Sequence, residues 1–229
     1  MALDEQHADR LIGSVWSDEI VPNLEDYIRI PALSPAFDPE WAANGHIERA
    51  ADQIEGWIRS RPVQGMTVSR QHLDGLTPLV VARIDAFGPN GPVAGSDAPT
   101  TVLYGHLDKQ PEMEGWRDDL GPWKPVLEGD RLYGRGGADD GYAVYAALTV
   151  IAGLDKQAVP RCRCVGLIET SEESGSPDLP AYLKALSPRL GQVKLVAGLD
   201  SGCGNYDQLW VTSSLRGLIG GVLTVEMLT

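Results

Sequence analysis

Short apolar segments that end in charged residues recur along the sequence, and they constrain the fold more than any other feature. The first, Thr101-Val102-Leu103, leads into Tyr104-Gly105-His106-Leu107-Asp108. A β-branched apolar run predicts a strand, and residues two apart on an extended chain, such as His106 and Asp108, share one face. Open α/β sheets bind ligands beyond the carboxyl ends of their strands, so this pair marks a candidate site.

Three acidic clusters follow at spacings of about thirty residues, and each adjoins an apolar run. They are Asp139-Asp140, Glu172-Glu173 and Asp200. One His and several carboxylates gathered at strand ends favour a metal site, because zinc binds nitrogen and oxygen ligands from these residue types.

The Gly-rich turn 134–141, which carries the first acidic pair, allows three interpretations. Its Asp residues could cap the helix that follows, or the turn could cradle a phosphate, although it lacks the Lys-Ser/Thr ending of a P-loop. In the third interpretation, the glycines let the backbone bend and direct Asp139 into a cleft.

Two other patterns are given ordinary structural interpretations. His72-Leu73-Asp74 has the same spelling as the first motif, but Gly75 follows it directly and no comparable acidic cluster surrounds it, which predicts a turn between two strands. Cys162 and Cys164 would share one face of a strand. We interpret them as small core residues rather than metal ligands, because no second Cys pair completes a zinc site.

Strand-like and helix-like segments alternate, which predicts an α/β fold with a mixed, largely parallel sheet covered by helices. Helices are predicted at 4–29, 46–60, 140–154 and 177–186. Strands are predicted at 66–71, 78–85, 100–105, 130–134, 162–169, 194–199 and 207–213. The segments 31–44 and 86–99 are predicted to be irregular, the second as a surface loop, because they are rich in Pro, Gly, Asp and Ser.

Charge and composition exclude some partners. The net charge of −13 argues against nucleic acid and anionic membranes as partners. The longest uncharged apolar stretch, residues 142–154, is too short to cross a bilayer. The first residues show no signal peptide, and three cysteines form no disulfide framework, so we expect a cytoplasmic protein.

Four segments in order resemble the co-catalytic di-zinc metallopeptidases, the family of carnosinase, carboxypeptidase G, aminoacylase and succinyl-diaminopimelate desuccinylase. They are 104–111, 132–140, 172–176 and Asp200, and they point most nearly to the carnosinase-like dipeptidase branch. The resemblance runs from about residue 10 to the end. It implies the family's zinc-peptidase fold and hydrolysis of dipeptides or related N-acyl amino acids by water activated between two zinc ions, with manganese or cobalt as alternatives.

The resemblance also implies a role for each residue of the motifs. The implied metal ligands are His106, Asp139, Glu173 and Asp200. Asp139 would bridge the two ions, with His106 and Asp200 on one and Glu173 on the other. Asp108 would orient His106, and Glu172 would be the general base.

The sequence departs from the family pattern in two ways. Gly141 follows the Asp pair where the family usually has Lys, and no residue matches the second His that the family supplies from its C-terminal part. We therefore expect residues 1–215 to be the N-terminal part of the catalytic domain, 216–229 to begin the lid or dimerisation domain, and the full-length protein to be a homodimer. The chain itself would be weakly active or inactive; a non-catalytic, metal- or partner-binding α/β fragment is the alternative.

Overall fold

A five-stranded mixed sheet is the centre of the fold in the computed structural model, which describes residues 3–95, 97–217 and 219–227. The strands are β1 (Met66–Gln71), β2 (Leu79–Ile84), β3 (Ala86–Gly88), β4 (Gly91–Val93), β5 (Thr100–His106), β6 (Val126–Glu128), β7 (Arg131–Tyr133), β8 (Arg163–Glu169) and β9 (Val193–Gly198). The order in the main sheet is β1-β2-β8-β5-β9, while β3–β4 and β6–β7 form separate two-stranded sheets.

Strand directions bring the predicted site to one edge of the sheet. The pairs β1–β2 and β2–β8 are antiparallel, whereas β8–β5 and β5–β9 are parallel. The predicted mixed α/β sheet is confirmed. Because β5, β8 and β9 run in the same direction, their carboxyl ends meet at one edge, where His106 lies in register with Glu169.

Helices cover both faces of the sheet. They are α1 (Glu5–Val15), α2 (Val21–Ile28), α3 (Trp41–Asn44), α4 (His46–Arg59), α5 (Ala143–Lys156) and α6 (Leu179–Leu190). The predicted helix 4–29 is observed as α1 and α2 joined by a π-helical turn at Trp16–Ile20. Asp4 is the N-cap of α1, because its carboxylate accepts the backbone N–H of His7 at 3.0 Å. None of the helices in the described residues combines the length and apolar character that crossing a lipid bilayer requires.

The core lies in two layers because side chains on β2 alternate between faces. Val80 and Ala82 pack into the larger cluster, which includes apolar side chains of α2, α4 and α5. Val81 packs on the other face, where Tyr182 and Leu186 of α6 complete a smaller cluster. As a central strand, β2 is therefore buried on both faces.

The segment 31–44, predicted to be irregular, ends in the short helix α3 (Trp41–Asn44). Two further segments differ from the sequence-based expectation. The predicted surface loop 86–99 contains the β3–β4 hairpin, and buried Phe87 exchanges backbone hydrogen bonds with Arg161 at 2.9 Å. Ser96 lies outside the described residues. The predicted strand 207–213 is wrong: this segment is neither helix nor strand, and Leu209 and Val211 are exposed. Apolar side chains favour a strand only where another strand pairs with them.

The β1–β2 connection agrees with the predicted turn after His72, since Leu76 N donates to Leu73 O. The expected boundary at residue 215 stays a prediction. Within the segment beyond it, Leu218, Leu228 and Thr229 lie outside the described residues.

Candidate metal centre

Loops that follow four elements converge on the side chain of His106, which is buried at the end of β5. From its Nε2 atom, Asp139 Oδ1 lies at 3.4 Å, Asp200 Oδ2 at 3.7 Å and Glu172 Oε2 at 3.9 Å. Glu173 joins the group, since one ligand atom each of His106, Glu172 and Glu173 lie within 4.8 Å of one another. The structure thus brings the four predicted ligands and the predicted base together.

Unpartnered buried atoms at this cluster fit a cation. His106 Nε2 and Glu173 Oε1 are both buried and make no hydrogen bond to any described residue. An orphaned buried polar atom costs about 1–3 kcal/mol, which a bound cation would offset. An imidazole nitrogen with several carboxylate oxygens is a donor set that suits zinc and other divalent ions.

Asp108 is fully buried and fixes the orientation of His106. His106 Nδ1 lies 3.1 Å from the backbone oxygen of Asp108 and 3.6 Å from its carboxylate. Both neighbours are acceptors, so we infer that Nδ1 carries a proton, which leaves Nε2, facing the carboxylates, as the ring nitrogen that a bound cation would meet. Burial alone would raise the pKa of Asp108, but hydrogen bonds and the neighbouring imidazole lower it.

The carboxylates and the imidazole perturb one another's titration. Burial opposes charge on His106, yet its contacts with Asp108 and Asp139 prevail and raise its pKa to about 11. Burial, together with the charge of Asp139, raises the pKa of Glu173. This concentration of negative charge around one imidazole is what a site for positive ions requires.

Residues 102–209, which contain all six predicted site residues, match the family model described as Peptidase family M20/M25/M40. The chain carries a peptidase M20 family domain. The resemblance that the motifs indicated is therefore confirmed.

Curated relatives of this M20 domain include desuccinylases from several bacteria. The succinyl-diaminopimelate desuccinylase of Gluconobacter oxydans is 35% identical over 170 residues, which are 72% of this chain and 37% of that protein. The enzyme of the same name from Acidiphilium cryptum is 35% identical over 155 residues, 68% of this chain and 34% of that protein. The chain thus spans little more than a third of the length of these relatives.

Solved structures show the same fold. The dipeptidase Dug1p of Saccharomyces cerevisiae superposes with a TM-score of 0.66 at 23% identity, over 86% of this chain and 41% of that chain. Human carnosine dipeptidase 1 gives a TM-score of 0.63 at 23% identity, over 88% of this chain and 42% of that chain. The α/β architecture is therefore that of M20 peptidases.

The Gly-rich turn of the M20 domain carries Asp139 and Asp140, joined by a cis peptide bond. The N-cap of α5 is Tyr142, and among the described residues no side chain caps this helix, so the interpretation of Asp139 or Asp140 as its cap is wrong. Asp139 lies beside His106, while buried Asp140 accepts the backbone N–H of His106 at 3.3 Å. A Cβ at Gly105 would come within 3.0 Å of the Asp140 carboxylate, so the glycine permits this approach.

Asp200 reaches the centre through the loop after β9. The hydroxyl of Tyr142 donates to the backbone oxygen of Leu199 at 2.6 Å and so ties the residue before Asp200 to the start of α5. Sequence reasoning placed Asp200 after a strand but gave Tyr142 no function.

Sequence reasoning assigned no role to three further residues of the site. Gln110 donates a hydrogen bond to Glu173, and Asp140 has one buried carboxylate oxygen without a partner in the described residues. Lys109 is fully buried, and its ammonium donates to the backbone oxygens of Tyr27 and Ile30, both at 2.8 Å. Gln110 and Lys109 stood inside the first motif, but nothing in their spacing indicated these partners.

Lys109 also packs against the Gly-rich turn. Gly136 has a φ of +88°, and a Cβ there would lie 2.5 Å from the Cε atom of Lys109. The Lys109 ammonium lies 3.9 Å from the centre of the Tyr27 ring, a cation–π contact. Lys109 therefore connects the end of α2 to the turn that carries Asp139.

Proposed function

We propose that this M20 domain belongs to a metal-dependent hydrolase that cleaves the amide bond of dipeptides or related N-acyl amino acids. The observation that carries the proposal is the group of carboxylates around His106, whose buried Nε2 atom has no hydrogen-bond partner among the described residues. Members of the family depend on metal ions, typically zinc. The names of the relatives, desuccinylase and dipeptidase, support an amide bond as the target.

The residues present support two metal ions that share Asp139. His106, Asp139 and Asp200 would hold one ion. Asp139 and Glu173 would contribute to the other, and their closeness is reflected in the mutual effect of each on the pKa of its neighbour. A bound zinc ion would lower the pKa of water toward about 7 and polarise the scissile carbonyl.

Glu172 would be the general base. Its side chain is about one-third exposed and approaches His106 Nε2 to 3.9 Å, so it borders both the cluster and solvent. Burial raises its pKa, and the charge of Asp200 adds to this. A carboxylate of raised basicity can accept a proton from the attacking water and deliver it to the leaving amine nitrogen.

Glu173 differs from Glu172 in its surroundings, although the two are adjacent. One of its carboxylate oxygens is buried without a partner in the part of the chain that the structure describes, and the other accepts a hydrogen bond from Gln110. A carboxylate held by a hydrogen bond and with one buried oxygen suits ligation, whereas the carboxylate of Glu172, which borders solvent, suits proton transfer. Asp108 would position the pair and His106 without touching the substrate.

The test is an assay of the longer protein that contains this chain. Chelator-treated enzyme would be reloaded with zinc, manganese or cobalt and offered dipeptides, N-acetyl amino acids and N-succinyl amino acids. We expect metal-dependent release of the free amine from at least one class. A metal-loaded, folded protein without amide hydrolysis on any class would contradict the proposal.

For the 229-residue chain itself we propose binding of one metal ion with negligible turnover. Within the described residues, Asp139 and Glu173 do not occur together in a group of three potential ligands, and both such groups include His106, which the first ion would already occupy. We also propose a cytoplasmic location, which the three free cysteines support, and a homodimer for the longer protein.

A further inference from the structure

Three arginines border a cavity at the end of the sheet opposite the metal centre. They are Arg83 near the end of β2, Arg163 at the start of β8 and Arg189 in the last turn of α6. The cavity measures about 250 Å³. β8 spans roughly 20 Å from Arg163 to Glu169, so a molecule bound here would not reach His106.

The cavity forms because α6 ends before it has covered the whole face of the sheet. Val81 and Val165 lie beneath α6 in the smaller apolar cluster. Arg83 and Arg163 are the next residues on this face of their strands, and α6 stops at Leu190. Polar side chains therefore occupy the uncovered part of the face.

The guanidinium group of Arg163 is held in place. Its Nε and Nη2 atoms donate to Thr100 Oγ1 at 2.9 and 2.6 Å, and Nη2 also donates to the backbone oxygen of Leu190 at 2.8 Å. These bonds fix the cation without neutralising it, because both acceptors are uncharged.

The positive charge at the cavity is largely uncompensated. The side chains of Arg83 and Arg189 make no hydrogen bond or ion pair to any described residue, although acidic residues outnumber basic ones by 32 to 19 in the sequence. Asp85 is the acidic residue among the cavity's described lining, and it forms no ion pair with the three arginines. Three cations against one carboxylate leave a local charge opposite to that of the whole chain.

We propose that this cavity binds a small polyvalent oxyanion, of which phosphate, free or as a monoester, is the simplest. Guanidinium groups present paired donors that match phosphate oxygens in a bidentate way. The volume greatly exceeds the ~10–15 Å³ that one water needs, yet it lies below the roughly 300 Å³ at which pockets for larger organic ligands begin. The charge therefore selects an anion, and the volume admits one of this size.

The test is calorimetric titration of the metal-free 229-residue chain with inorganic phosphate and, separately, with glycerol phosphate, against chloride at matched ionic strength. We expect saturable binding at one site. If inorganic phosphate binds more tightly, the ligand is free phosphate. If glycerol phosphate binds more tightly, the ligand is a phosphate monoester. Heats no different from those of chloride in both titrations would overturn the proposal.

Variants locate the site. Arg83→Gln and Arg189→Gln should each weaken binding by roughly tenfold to a hundredfold, the range expected for a charge-assisted hydrogen bond. Arg49→Gln, which removes the same charge from an exposed position on α4, should leave binding unchanged. Equal weakening in all three variants would indicate general electrostatics and reject the site.

Changes in amide NMR chemical shifts provide a second test of the binding site that does not depend on the variants. Phosphate should shift the amides of Thr67 and Val165, which line the cavity, and leave those of His106 and Glu172 unchanged. Shifts confined to His106 and Glu172 would place the anion at the metal centre and contradict the proposal.

Discussion

The carboxylate of Asp108 accepts the backbone N–H groups of both Glu172 and Glu173, at 3.0 and 2.9 Å. One buried side chain at the end of β5 thus fixes the turn that follows β8. Because Asp108 also faces the imidazole of His106, it sets the orientation of the proposed base and of a proposed ligand relative to that ring.

Asp108→Asn should weaken both the fold and the metal site. The amide NH2 would face N–H donors, which leaves buried groups unpaired at a cost of about 1–3 kcal/mol in the free energy of unfolding. Loss of a carboxylate behind a metal-binding His typically lowers metal affinity by roughly 10- to 100-fold. Urea unfolding and zinc titration would measure the two effects.

The sequence provides a matched control in its other His-Leu-Asp segment. Asp74 is exposed in the β1–β2 turn, so Asp74→Asn should change neither stability nor zinc affinity. If the two variants behaved alike, the role given to Asp108 would be wrong.

Glu172→Gln and Glu173→Gln should separate proton transfer from ligation in the longer protein. Glu172→Gln should retain metal and lose turnover by on the order of a hundredfold or more, because a general base is removed. Glu173→Gln should lower the metal content first, since an amide is a poorer ligand than a carboxylate. Elemental analysis beside steady-state kinetics measures both, and equal metal loss in the two variants would refute this division of roles.

The site residues that sequence reasoning found share one property: each lies at the end of a strand or in the connection that follows one. His106, Asp139, Glu172 and Asp200 come after apolar runs or a Gly-rich turn, and parallel strands bring such positions to one edge. The same logic failed at 207–213, where apolar residues have no neighbouring strand to pair with. An apolar run followed by a charged residue therefore predicts a site only where a neighbouring strand of the sheet pairs with that run.

Lys109 marks the limit of that reasoning. Lysine is almost never fully buried without a partner, and the sequence shows no acidic partner for Lys109 that would predict its burial. Its partners are backbone oxygens at the end of α2, about eighty residues earlier, and a backbone acceptor leaves no residue-type signal. The cavity lined by Arg83, Arg163 and Arg189 could not be predicted from the sequence for a related reason. Its existence depends on where α6 ends.

The 229-residue chain should carry about one zinc ion per molecule and show negligible dipeptidase activity. His106, Asp139 and Asp200 provide three ligands for one ion, as in open zinc sites. A second ion would rely on Asp139 and Glu173 close to the first positive charge, which is electrostatically unfavourable. Equilibrium dialysis with elemental analysis gives the ratio. Two tightly held zinc ions, with turnover equal to that of a longer relative, would require a ligand not identified in the described residues.

Lys109→Met should destabilise the fold by about 1–3 kcal/mol, because two well-bonded backbone oxygens at the end of α2 lose their buried donor. Lys124→Met is the matched control: the Lys124 ammonium also donates to one backbone oxygen, that of Asp119, but on an exposed surface. The control variant should change the free energy of unfolding little. An equally small change for Lys109→Met would contradict the role of Lys109 in connecting α2 to the Gly-rich turn.

The pH dependence of that difference follows from the burial of Lys109. Burial lowers its pKa to about 7, whereas an exposed lysine titrates near 10.4. Between these values the unfolded chain binds more protons at this position than the folded chain, so the contribution of Lys109 to stability rises with pH from about 7 to 10. The difference in the free energy of unfolding between the wild type and Lys109→Met should therefore increase across this pH range, as measured by urea titrations. A constant difference would mean that the surrounding oxygens of Tyr27 and Ile30, and the ring of Tyr27, keep the ammonium charged despite its burial.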